Sequence, residues 1–66
     1  MKVREILKIL HNDDWRVVRQ RGSHRQLQHG AKEGTVTVAG KPGDELHPKT
    51  LASILRQARL KLDRDN

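Results

Sequence analysis

The sequence contains no cysteine, no phenylalanine and no tyrosine, and its single tryptophan, Trp15, is its whole aromatic content. Without cysteine there is no disulfide framework and no thiolate zinc site. With Trp15 claimed by the core, no aromatic platform remains on which bases could stack, as RRM and OB modules require. Long apolar runs are missing too. The opening MKVREILKIL is broken by charge every few residues, and nothing approaches the roughly 18 residues that span a bilayer. Neither a signal peptide nor a membrane anchor is expected, and a cytoplasmic, partner-dependent protein fits these facts. A chain of 66 residues makes one domain, and a domain of this size buries only about 60% of its unfolded surface. Apolar residues are only 33% of it, so helices packed on a sheet, or a partner, must supply the stability.

Charge is what the sequence has in excess. Fourteen Lys and Arg stand against eight Asp and Glu, a formal net charge of +6. A field of that sign on so small a body attracts polyanions. Solubility alone would also account for a basic surface, and composition does not separate RNA from DNA or from an acidic protein.

Periodicity supplies the fold. Val3, Ile6, Leu7 and Leu10 fall at i, i+3, i+4 and i+7, which predicts an amphipathic helix over residues 2–12, stopped by HNDD. From Trp15 the pattern changes: WRVVRQR and HRQLQH read as two strands joined by a Gly-Ser turn, GAKEG as the next turn, and TVTVA as a strictly alternating third strand. GKPGDEL reads as a loop. Leu51, Ile54, Leu55 and Ala58 then repeat the helical spacing, with Pro48 where a first turn tolerates it. The tail KLDRDN is expected to fray. The expected fold is therefore α+β, a single domain over residues 1–66 in the order α-β-β-β-α. It is a three-stranded antiparallel sheet with both helices on one face and the other face open, the arrangement of double-stranded-RNA-binding domains.

In this scheme His24 opens the second strand directly after the Gly22-Ser23 turn. Strand alternation puts His24, Gln26 and Gln28 on one face, and Arg25, Leu27 and His29 on the other. Leu27, the strand's one apolar residue, should face the helices, leaving His24 on the open face. Two readings remain on spacing alone: a solvated strand histidine, or a presented one. Arg19, Arg21 and Arg25 surround His24 in sequence, either as a solvated face or as a cationic cluster, and that cluster beside an exposed histidine favours the second. Lys41 between glycines either belongs to a plain turn or lets an ammonium and backbone approach a phosphate.

Other chemistries fit poorly. Ser23 and His24 are strand neighbours whose side chains diverge, so they form no nucleophile–base dyad, and no G-x-S-x-G elbow is present. His11, His24, His29 and His47 fall on different elements without metal-ligand spacing. Asp13, Asp14, Asp44 and Glu45 sit at a helix end and in a loop, where capping and turns explain them. No metal or other cofactor is expected.

The motif RQRGSH, followed by GTVTV and then by TLASIL in that order and at those separations, resembles the HicA family of toxin mRNA interferases, and the match runs over nearly the whole chain. The resemblance implies cleavage of mRNA, growth arrest and neutralisation by a HicB antitoxin. The family's catalytic histidine in the G-S-H motif carries over onto His24, with Arg19, Arg21, Ser23, Arg25 and Lys41 as the expected contacts to single-stranded RNA. Two positions depart from the family pattern. Many members carry a histidine in the loop where this chain reads AGKPG, and a glycine in place of Arg59, a change expected to lengthen the last helix because the family glycine would act as its stop. The implied chemistry is metal-independent acid–base attack of a ribose 2′-OH on its phosphate. A non-catalytic RNA-binding module of the same fold is the alternative, and a pure interaction protein with an acidic partner is a third reading.

Overall fold

The computed structural model describes residues 1–61. All but the first residue of the tail expected to fray, residues 62–66, lies outside the described residues. The elements run α1 (Val3–Asn12), β1 (Trp15–Arg21), β2 (His24–His29), β3 (Val36–Ala39) and α2 (Pro48–Ala58). The strands form one antiparallel sheet in the order β1-β2-β3. Element order and sheet are those the periodicity predicts, with α1 and β3 each starting one residue later than the pattern.

One core closes the fold. Val3, Ile6 and Leu10 of α1 and Ile54 and Ala58 of α2 pack with Trp15, Leu27, Val36 and Val38, all on one face of the sheet. The helical stripe and the strand alternation therefore meet in a single apolar layer, and burial of that layer is the main stabilising term. The first turn of α1 is capped from both sides of the sequence. The Glu5 carboxylate accepts from the Lys2 amide at 2.7 Å, and the Val3 and Arg4 amides donate to the carbonyls of Asp44 and Pro42. That loop enters through Gly40, whose φ of 114° strains any side chain and where an added Cβ would come within 3.1 Å of a Val3 methyl. At α2, His47 caps the N-terminus by accepting the Lys49 amide at Nδ1, and Pro48 occupies the first helical position.

The expectation that Arg59 lengthens α2 is overturned. The helix stops at Ala58, and Arg59 takes the left-handed conformation, φ 55° and ψ 42°, in which helix stops favour glycine. The Leu60 amide donates to the Leu55 carbonyl at 2.9 Å and the Arg59 amide to that of Arg56 at 3.2 Å, the bond pair of a Schellman stop. Leu60 packs against the core, so a tertiary apolar contact sets the stop and Arg59 carries the strain.

A second polar junction ties the ends of the elements together. Lys32 donates to the Asp13 carboxylate at 2.7 Å and to the Ala58 carbonyl, the C-terminal end of α2, at 3.1 Å. The Trp15 indole N–H donates to the same carboxylate at 3.2 Å. His29 sits beside them, its ring edge-on to Trp15 with centroids 5.2 Å apart. Its Nε2–H donates to the Asp13 carbonyl, and its Nδ1 accepts the amides of Ala31 and Lys32, which fixes the tautomer. His29 is thus a clamp on the β2–β3 turn.

Two outcomes follow from these terminal contacts. Arg59→Gly relieves a left-handed non-glycine residue and should stabilise the fold by about 1 kcal/mol, read as a rise in the urea midpoint; an unchanged or lower midpoint would mean that Arg59 is not strained. The Lys32 ammonium, with the Trp15 N–H, lowers the Asp13 pKa from its usual 3.8 despite partial desolvation. A lowered folded-state pKa contributes stability that is present above the unfolded value and lost as pH falls through the folded one. The Tm advantage of the wild type over Asp13→Asn should therefore be full at neutral pH and shrink below the ordinary carboxylate range. An advantage independent of pH would show that the charge contributes nothing.

Candidate nucleic-acid interface

β1 and β2 are joined by only two residues, Gly22 and Ser23, with Arg21 paired to His24. Gly22 has φ 58° at the first position of this turn, the placement of the type II′ hairpin whose twist matches that of the strands. The turn fixes His24 as the first residue of β2, and the pleat points it away from the core: His24 is exposed, as are Gln26 and Gln28 two and four residues on.

β1 does not keep one register along its length. Trp15 and Val17 pair with His29 and Leu27, but beyond them the ladder shifts, and Arg19, Gln20 and Arg21 pair with Gln26, Arg25 and His24. The extra residue is Val18, a β-bulge left 55% exposed. Opposed residues of an antiparallel pair share a face, so the bulge exchanges the two faces of β1. Strict alternation from Trp15 would have placed Arg19 and Arg21 with the core. The bulge puts them beside His24 instead, and Gln20 takes the inward position.

The open face therefore carries His24 between Arg21 of β1 and Ala39 of β3, and Gln26 between Arg19 and Thr37. Arg19, Arg21, His24 and Gln26 line one shallow depression of about 410 Å³. No carboxylate lies in it, and neither arginine has an ion-pair partner among the described residues. Their guanidinium groups are free to meet an anion in bidentate fashion.

Of the other residues expected to contact RNA, Ser23 is half-buried in the turn. Lys41 is exposed in the loop after β3, two residues past the β3 partner of His24. Its backbone amide is taken by the Asp44 carboxylate at 3.0 Å, which removes it from any phosphate cradle. Arg25 is not brought to this face at all. It points inward, 8% exposed, and its Nη1 donates to the carbonyls of Ser23 at 3.2 Å and Gly40 at 2.9 Å. The reason is the pleat: Arg25 alternates with His24, so nearness in sequence places it on the opposite side of the sheet. Its bonds nevertheless hold the backbone just before His24 to the backbone just after β3. Gln26 was not among the expected contacts, although its two-residue spacing from His24 marks it in the sequence. Among the described residues no three His, Asp or Glu side chains converge as metal ligands.

These elements fall within the range of a family model. The model described as the HicA toxin of bacterial toxin–antitoxin matches residues 3–60. The chain belongs to the HicA toxin family. No curated protein matches it. The matched range takes in both helices and all three strands of this HicA domain, and it ends with Leu60, the residue whose contact stops α2. No helix among the described residues is long and apolar enough to cross a membrane.

The inward position of Arg25 makes a measurable claim. Arg25→Met removes two charge-assisted bonds, so amide exchange at Gly40, whose N–H donates to Ser23, should speed up by about tenfold while exchange at Leu27 stays as in the wild type. Equal effects at both amides would mean that Arg25 supports the fold in general and not this turn.

Proposed function

We propose that this HicA chain is the toxin of a type II toxin–antitoxin pair, a cytoplasmic endoribonuclease that cleaves mRNA with His24 as its acid–base group and is neutralised by a HicB-like antitoxin. The observation that carries the reading is the placement of Arg19 and Arg21, by the Val18 bulge, in the same open depression as His24. Attack on a phosphodiester calls for cations beside the group that takes the 2′-OH proton, and this face carries Arg19 and Arg21 beside His24.

In the reaction, the His24 imidazole takes the proton of a ribose 2′-OH, and the 2′-oxygen attacks the adjacent phosphorus. The bond from phosphorus to the 5′-oxygen of the next nucleotide breaks, leaving a 2′,3′-cyclic phosphate and, once protonated, a 5′-hydroxyl. Arg19 and Arg21 balance the extra negative charge of the pentacoordinate state. One imidazole does not serve as base and acid in a single concerted step. Water or a lysine protonates the leaving oxygen, and Lys41 follows the strand that pairs with His24. Substrate is held through its phosphates, since the chain offers cations and no stacking side chain on this face. The chemistry uses proton transfer and fixed cations and needs no metal.

The test is cleavage of an end-labelled single-stranded RNA in the presence of EDTA. The wild type should cut, and His24→Ala should lose about 10²- to 10⁴-fold in rate with its Tm and RNA binding close to those of the parent, because the exposed side chain removes no core volume. His11→Ala, a histidine on the outer surface of α1, is the control and should keep the parental rate. Full activity in His24→Ala rejects the catalytic assignment. Activity lost in EDTA and restored by Mg²⁺ rejects the metal-free route. Binding without cleavage by the wild type selects the non-catalytic RNA-binding module.

A further inference from the structure

The helix side of the sheet is not fully covered. Both helices bury the apolar residues of β2 and β3, but on β1 only Trp15 is sealed, and Val17, which points to the same side, remains 46% exposed. Beside α1 this leaves a groove of about 350 Å³, distinct from the depression around His24 because it opens on the opposite face. Its floor is apolar, formed by Leu27 and the half-buried Leu7 with Val17 on its open side. Its rim carries the cations Arg4 and Lys8 together with His11; they fall at i, i+4 and i+7 on α1, one helical face, and all three are exposed. At its head lies Arg25, 8% exposed and with no carboxylate partner among the described residues. Its two bonds to the protein both come from Nη1, and no side-chain donor among the described residues is buried without a partner, so Nε and Nη2 are reachable from solvent. No acidic residue lines the groove.

From this we infer that the groove between α1 and β1 is a docking site for an acidic, amphipathic segment of a partner protein. The apolar strip takes the partner's aliphatic side chains, and the carboxylates meet Arg4, Lys8 and Arg25. The combination chooses between classes of polyanion. A nucleic acid strand would meet the cations but gain less from Leu7 and Val17, which offer its bases no aromatic face to stack on. A second copy of this chain is disfavoured by charge, its own net charge being +6. An acidic amphipathic segment satisfies both halves of the groove and completes the layer that α1 and α2 leave unfinished over β1. The inference stands apart from the catalytic reading of His24, which uses the other face.

The experiment is an NMR titration of the folded protein with three probes: a synthetic helical peptide of Glu and Leu with Leu at i, i+3 and i+4; the same peptide with Ser for Leu; and a single-stranded oligonucleotide of matched charge. The Glu–Leu peptide should shift the amides of Leu7, Lys8, Val17 and Gln20 and leave His24 and Gln26 in place. The Ser peptide should bind at least about tenfold more weakly, the loss expected for two or three exposed aliphatic contacts. The double variant Arg4→Glu, Lys8→Glu should also weaken the Glu–Leu peptide by about tenfold or more. Neither side chain makes a hydrogen bond or ion pair among the described residues, so the fold is kept, and unchanged core amide shifts verify that in the same spectra. Arg19→Glu, on the other face, should bind the peptide as the wild type does. The proposal is overturned if the Ser peptide binds equally well, if the oligonucleotide occupies the groove in preference to the peptide, or if Arg19→Glu costs as much as the double variant. Failure of RNA cleavage in a parallel assay would count against the role of His24 and leave the groove untouched.

Discussion

The Val18 bulge is the constraint on which the arrangement of this molecule depends. β1 does two things along seven residues. Its first half delivers Trp15 to the core, and its second half carries Arg19 and Arg21 on the outer face next to the hairpin turn. A strand of unbroken alternation cannot do both, because Trp15, Arg19 and Arg21 have the same parity. One extra residue, unpaired in the ladder, exchanges the faces. The cost is an exposed valine, and the result is a sheet with a dry face and a cationic face built from the same three strands.

Everything around His24 follows from that exchange and from the two-residue turn. Gly22 supplies the positive φ that lets Arg21 and His24 pair directly, and β3 closes the other flank through Ala39. Arg25, turned inward by the pleat, fastens the carbonyls of Ser23 and Gly40 from behind. A side chain in a two-residue hairpin is otherwise held only by local backbone geometry, so a buried fork on the far side of the sheet adds a tether that the open face lacks. The same turn thus has a polar front open to solvent and the Arg25 guanidinium fastened behind it.

A protein this small has few apolar residues to spend, and the structure shows polar contacts doing what a larger core would do. The Asp13–Lys32 pair joins the α1–β1 corner, the β2–β3 turn and the end of α2, and His29 fastens the same turn through three backbone groups. The layer over β1 is left incomplete, with Val17 open beside a cationic helix flank. Membership of a toxin–antitoxin family gives that gap a natural context, since a chain with a dedicated protein partner has no need to close every apolar strip by itself.

The sequence alone determined the elements and most of the core, because both helices carry apolar residues at the 3.6-residue period and β3 alternates strictly. Those are local patterns, and tertiary packing had only to bring their faces together. It also determined that His24 faces outward, since Leu27 is the one apolar residue of β2 and parity does the rest. The last helix shows where local rules stop: Arg59 is a helix former in a position that reads as a continuation, yet Leu60 gains more by folding back on the core, and the backbone turns left-handed. Tertiary structure likewise decided the membership of the site. The doubled valine of WRVVRQR breaks the alternation, but with no glycine it does not say which residue is left out of the ladder. Only the pairing of β1 with β2 could put Arg19 and Arg21 beside the histidine, and only the pleat between them could take Arg25 away.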